Sequence, residues 1–181
     1  MNTTQDPSEN TGCYDVVLLV EQELATADAA QVRALHEALE DSLCYHVLMP
    51  VEDAASRVEA AMGSLAAGEV IASPGLAMGE EDLRQIQSEL LEHCRSELDT
   101  TVERLRSAGV DHPGRFDVVG DVVAIDPIEA LTAKVAQVGA SEAIILTRPH
   151  VVAEFFHLDW TSRARRKVGV PVLHLLEHEE G

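Results

Sequence analysis

The chain has little with which to build a nucleic-acid interface, a membrane span or a disulfide framework. Lys and Arg number 13 against 32 Asp and Glu, leaving a net charge of −19. A field of that sign repels nucleic-acid phosphates and anionic headgroups, so neither partner is expected. No apolar run approaches the ~20 residues of a membrane helix. The start, MNTTQDPSENTG, lacks the charged-then-apolar order of a signal peptide, so a cytoplasmic location is expected. Three cysteines (Cys13, Cys44, Cys94) are odd in number, widely spaced and form no CxxC, which suggests reduced thiols and no zinc site. A GxSxG nucleophile motif is absent. The two lysines, Lys134 and Lys167, end no predicted strand, which removes a phosphorylated receiver domain from consideration. Aromatics make up 3% of the chain, so the core must be aliphatic.

What is present is a regular alternation of apolar strands and amphipathic helices over 181 residues, enough for one sizeable core. Residues 1–13 show no apolar periodicity and read as a disordered acidic tail. The run YDVVLLV (Tyr14–Val20) has the unbroken apolar character of a strand buried on both faces of a parallel sheet. Thr26 predicts the cap of a helix over 27–42, with Val32, Leu35, Leu39 and Leu43 as its stripe. A second strand is expected over Cys44–Val51, limited by Pro50. Residues 54–79, punctuated by Gly63, Gly68, Pro74, Gly75 and Gly79, read as an insertion or flap.

From Glu80 to Ser107 the spacing of Leu83, Ile86, Leu90, Cys94, Leu98, Val102 and Leu105 predicts one long amphipathic helix, stopped by Gly109. A third strand is expected over 116–124. Asp126-Pro127 then marks a helix start, because Asp accepts from free backbone N–H groups and proline suits the first helical position. That helix runs to Gly139 and is followed by the strand EAIILT (142–147), a helix within Val152–Lys167, and a last strand over 170–176. The expected fold is therefore an α/β three-layer sandwich, a single domain over 14–178. Its five-stranded, mostly parallel sheet should have the order 3-2-1-4-5. In such a sheet ligands sit beyond the carboxyl ends of the strands. Glu21 and Gln22, Glu52 and Asp53, and Thr147 to His150 follow strands there.

YDVVLLV, Asp126-Pro127, EAIILT and the closing VPVLHLL, in that order, resemble the universal stress protein family from Tyr14 to Leu176, the 54–79 stretch excepted. The resemblance implies the fold and a homodimer through the last strand. ATP-binding members carry an acidic residue after the first strand, which falls near Glu21 here. After the fourth strand they carry Gly-x2-Gly-x9-Gly followed by Ser or Thr, glycines that let backbone N–H groups approach phosphates. The same spacing overlays Thr147, His150, Trp160 and Thr161, so every glycine position holds something larger. No cofactor is therefore expected, and ATP or another adenine nucleotide is not expected in the family's usual pose.

The segment around that loop is distinctive. Residues 147–176 hold five basic and two acidic side chains in an otherwise acidic chain. Phe155, Phe156 and Trp160 crowd half of the aromatics into six positions, as a core or dimer contact or as a wall for a planar ligand. Arg165 to Lys167 suit a helix's last turn. Arg148, at a strand's carboxyl end, has the guanidinium fork that holds carboxylate or phosphate. His150, Glu154, His157 and Asp159 do not form a metal set, because the two His are seven apart and not at the i,i+4 spacing of a helical zinc pair. The expected function is that of a non-enzymatic regulatory or interaction protein. The alternative is a binder of a nucleotide or other small anionic ligand, with Glu21, Arg148, His150, Thr161 and Ser162 as its contacts. No catalytic residue is named.

Overall fold

The heptapeptide YDVVLLV lies at the centre of the molecule. In the computed structural model, residues 13–51, 80–108, 114–147 and 167–178 are described. Strand β1 (Tyr14–Val20) is flanked by β2 (Leu43–Pro50) and β4 (Glu142–Thr147); β3 (Phe116–Val123) lies outside β2, and β5 (Val172–Leu176) outside β4. The order is β3-β2-β1-β4-β5 and all four pairings are parallel, as expected. Val16 to Val20 are all buried. An unbroken apolar run is what a central parallel strand requires, since both of its faces are covered.

Among the described residues three helices supply that cover: α1 (Thr26–Ala34), α2 (Glu80–Ser107) and α3 (Pro127–Val138). One face of the sheet presents Val16, Leu18, Val20, Tyr45, Val47 and Met49 to Val32 of α1 and to Cys94, Leu98, Val102 and Leu105 of α2. The other presents Val17, Leu19, Leu48, Ala143 and Ile145 to Ile128, Leu131 and Val135 of α3, with Val168 beside them. Each fully buried Leu, Val or Ile contributes about 1.5–3 kcal/mol, so aliphatic packing offsets the scarcity of aromatics. Helix α2 approaches β3 closely at Gly120, where an added Cβ would stand 2.9 Å from Leu98 Cδ1.

Helix α3 begins as its sequence predicts: Asp126 Oδ1 accepts from Ile128 N and Glu129 N, both at 3.0 Å, and Pro127 takes the first position. Gly139, at φ 65°, closes it in the left-handed conformation that costs glycine no Cβ clash.

Helix α1 corrects the reading over 27–42. It starts at Thr26, its N-cap is Ala25 with no side-chain cap bond, and it ends at Ala34. Beyond it the chain tightens through Leu35 N to Val32 O, His36 N to Arg33 O and Glu37 N to Ala34 O, which are i to i−3 turns. Polar anchors override the apolar periodicity. Arg33 Nε donates to Ala108 O at 2.9 Å and its guanidinium stacks 3.8 Å from the Phe116 ring, while His36 turns inward to Tyr45. Leu35 is left exposed and Leu43 opens β2. Strand β5 starts at Val172, two residues later than expected, with Pro171 ahead of it giving only its carbonyl, to Ala143 N. Residues 1–12 of the tail expected over 1–13, the 54–79 stretch, Gly109 and the helix expected from Val152 up to Arg166 lie outside the described residues.

Candidate functional site

The strand order reverses between β1 and β4, and their carboxyl ends therefore form the crevice where a parallel sheet receives a ligand. Here a hydrogen-bonded bridge spans that crevice. Glu177, directly after β5, hangs on the end of β4 through its backbone N–H to Thr147 O at 3.0 Å. Its side chain reaches over β4 toward β1, where Gln22 Nε2 donates to Glu177 Oε2 at 2.7 Å. Glu177 is buried. The next residue extends the bridge to α1: Asp28, 1% exposed, accepts from His178 N at 3.1 Å and from His178 Nδ1 at 2.6 Å.

The loop between β1 and α1 is held from below by α2. Thr101 Oγ1 accepts from Leu24 N at 3.1 Å, and Arg104 donates to Leu24 O while its Nη2 pairs with Glu23 Oε1 at 2.7 Å. Glu21 follows β1 directly and is half-buried. Thr147 Oγ1 and His174 Nε2 lie 2.8 Å apart on the face of α3, and burial lowers the His174 pKa from 6.5. Among the described residues this end of the sheet thus gathers Glu21, Glu23, Asp28 and Glu177.

A second polar cluster lies at the opposite, amino-terminal end. On the face of α1 and α2, His36 Nε2 donates to Glu142 Oε1 at 2.5 Å, and its Nδ1 is 2.7 Å from the Tyr45 hydroxyl. Burial pushes the Tyr45 and Tyr14 phenols up, so both stay protonated. On the α3 face, His46 Nε2 donates to Asp15 Oδ1 at 2.8 Å beside Cys44.

Of the residues named from sequence, Glu21, Gln22 and Thr147 are found at the crevice; Glu52, Asp53, Arg148, His150, Trp160, Thr161 and Ser162 lie outside the described residues. The sequence reading missed Asp28, Glu177 and His178. Its own rule, that groups just after a strand face the ligand end, names Glu177 and His178 once applied to β5. Asp28 carries the ordinary signature of a first-turn acidic residue, and nothing marks it as buried.

Among solved structures the chain is similar to hypothetical protein PH0823, at 17% identity and a TM-score of 0.53, over 93% of this chain and 99% of that one. Weaker likeness extends to the universal stress protein from Archaeoglobus fulgidus in complex with dAMP, at 14% identity and TM-score 0.46, covering 88% and 95% of the two chains. A protein of the universal stress protein family from Burkholderia pseudomallei matches at 23% identity and TM-score 0.45, covering 90% and 96%. The first of these likenesses shows a shared α/β fold. Identities of this size speak to architecture alone. No protein-family model matches the chain, and no curated protein sequence matches it.

Proposed function

We propose that this universal-stress-like chain is a non-enzymatic, cytoplasmic regulatory or interaction protein that does not hold ATP in the pose its fold ordinarily offers. The observation that carries the reading is the Gln22–Glu177 hydrogen bond across the β1/β4 crevice. A phosphate chain entering there would meet a buried carboxylate and would have to displace its partner. A hydrogen bond to a charged group is worth about 1.5–3 kcal/mol, and the neighbouring Glu21 and Asp28 add like-charge repulsion. The rewritten loop, with Thr147, His150 and Trp160 at the glycine positions, supports the same reading from the sequence.

The proposed mode of association is a homodimer through β5. This strand is the sheet's edge among the described residues, and its Leu173 and Leu176 are 40% and 48% exposed. An edge of unpaired backbone groups carrying exposed leucines is a ready docking line for a second copy.

Thermal unfolding with ATP, ADP or AMP tests the proposal. A nucleotide present at 100 times its dissociation constant adds about 2.7 kcal/mol of stability. The expected result is no shift at millimolar nucleotide. A shift that survives in Arg148→Ala overturns the proposal in favour of the usual pose. A shift lost in Arg148→Ala replaces it with an anionic-ligand site built on that arginine.

A further inference from the structure

The amino-terminal edge of the sheet carries a set of side chains that the function proposed above does not use. Parallel pairing sets Asp15 of β1 opposite Cys44 of β2, and His46 lies two residues farther along β2. Alternation along the strands turns Asp15, Cys44 and His46 to the α3 face, the face that carries Val17, Leu19 and Leu48 farther up. One ligand atom from each of Asp15, Cys44 and His46 lies within 4.8 Å of the other two. The nearest pair, His46 Nε2 and Asp15 Oδ1, is 2.8 Å apart, with side chains only 13% and 22% exposed. A further donor is close in the chain: Cys13, exposed and directly before β1, is two residues from Asp15.

We propose that Cys13, Asp15, Cys44 and His46 form a four-coordinate site for a soft divalent cation of the zinc type. Two thiolates, an imidazole and a carboxylate are donors that suit zinc, and a closed set of four protein ligands is its structural form. Bond lengths of about 2.0–2.3 Å put tetrahedral ligands roughly 3.5 Å apart. Asp15, Cys44 and His46 already lie within 4.8 Å of one another, and the Cys13 thiol, outside that cluster, closes the set by turning inward. The surroundings favour a cation. Asp117 sits across β3 from Cys44 in register, and its carboxylate adds negative charge that Arg115, 4.0 Å away, offsets only in part. Burial pushes the Cys44 thiol up to about 11, so an incoming metal must displace its proton. The site would tie residue 13, just before β1, to the second strand. It is independent of the β1/β4 crevice, which is at the other end of the sheet.

Cobalt(II) added to the reduced, metal-stripped full chain tests this. The expected result is one equivalent bound, with thiolate-to-cobalt charge-transfer absorption and the intense visible bands of a tetrahedral site, both abolished by competing zinc. His46→Ala should weaken binding by more than the roughly 10–100-fold cost of losing an outer-shell partner. Cys13→Ser, at an exposed position that the fold tolerates, should weaken the charge-transfer band with the far-ultraviolet circular dichroism unchanged. His93→Ala, on the exposed face of α2, should bind like the parent. Absence of the charge-transfer band in the reduced parent overturns the proposal. So does a band that persists unchanged in both His46→Ala and Cys13→Ser.

Discussion

At the residue scale, the groups that matter are polar side chains embedded in apolar strands or just beyond them. His174 sits in β5 with its Nε2 against Thr147, and burial depresses its pKa below the 6.5 of the unfolded chain. Between those two values the unfolded chain binds more protons than the folded one, so stability is complete above about pH 6.5 and falls as pH drops below it. Urea unfolding from pH 8 to pH 5 should show that loss. His174→Gln, which keeps a polar partner for Thr147 and removes the titration, should flatten the acid limb. A variant curve as steep as the parent's would place the pH dependence elsewhere. The sequence told little about such residues. Asp15, Cys44 and His46 were visible as polar interruptions of YDVVLLV and CYHVLMPV, but Asp15 and Cys44 are 29 positions apart. Only the register of β1 on β2 makes them neighbours. Glu177 and Asp28 meet their partners across 155 and 150 residues, a separation for which no local pattern exists.

At the scale of the element, legibility followed the strength of the local signal. The stripe of α2 repeats often enough that its extent, Glu80–Ser107, is the one its spacing predicts. Helix α3 has a chemical start and stop at Asp126 and Gly139, and both hold. Asp126→Ala removes the acceptor for two backbone N–H groups and should cost about 1 kcal/mol, seen as a lower urea midpoint with an unchanged slope. An unchanged midpoint would mean that water satisfies those groups equally well. Helix α1 was misread because its expected stripe is split: Val32 is buried in the helix, Leu35 is exposed, and Leu43 is buried as the first residue of β2. What ends it is the inward turn of His36 and the hold of Arg33 on Ala108 and Phe116, contacts made with distant parts of the chain.

At the scale of the whole molecule, the alternation of strands and helices was enough to give the strand order, because right-handed crossovers and two covered faces leave few arrangements for five parallel strands. The ligand end was harder, since bridging by Gln22 and Glu177 depends on where the end of β5 is carried by the completed sheet. Sedimentation should find a dimer at micromolar concentration if β5 is the contact, and a Leu173→Glu, Leu176→Glu double variant should shift it to monomer; a monomeric parent would remove that interface. The topology also has a consequence for how the chain is made. Strand β1 is the most buried strand, yet its second neighbour begins only at Glu142, paired with Val16. While the ribosome is still extending the chain short of residue 127, one long edge of YDVVLLV has no neighbour and one of its apolar faces lacks the α3 cover. Chains at that stage are expected to be prone to aggregation. A fragment released at residue 125 should accordingly pellet when made without chaperones, whereas one released after β5 should stay in the supernatant.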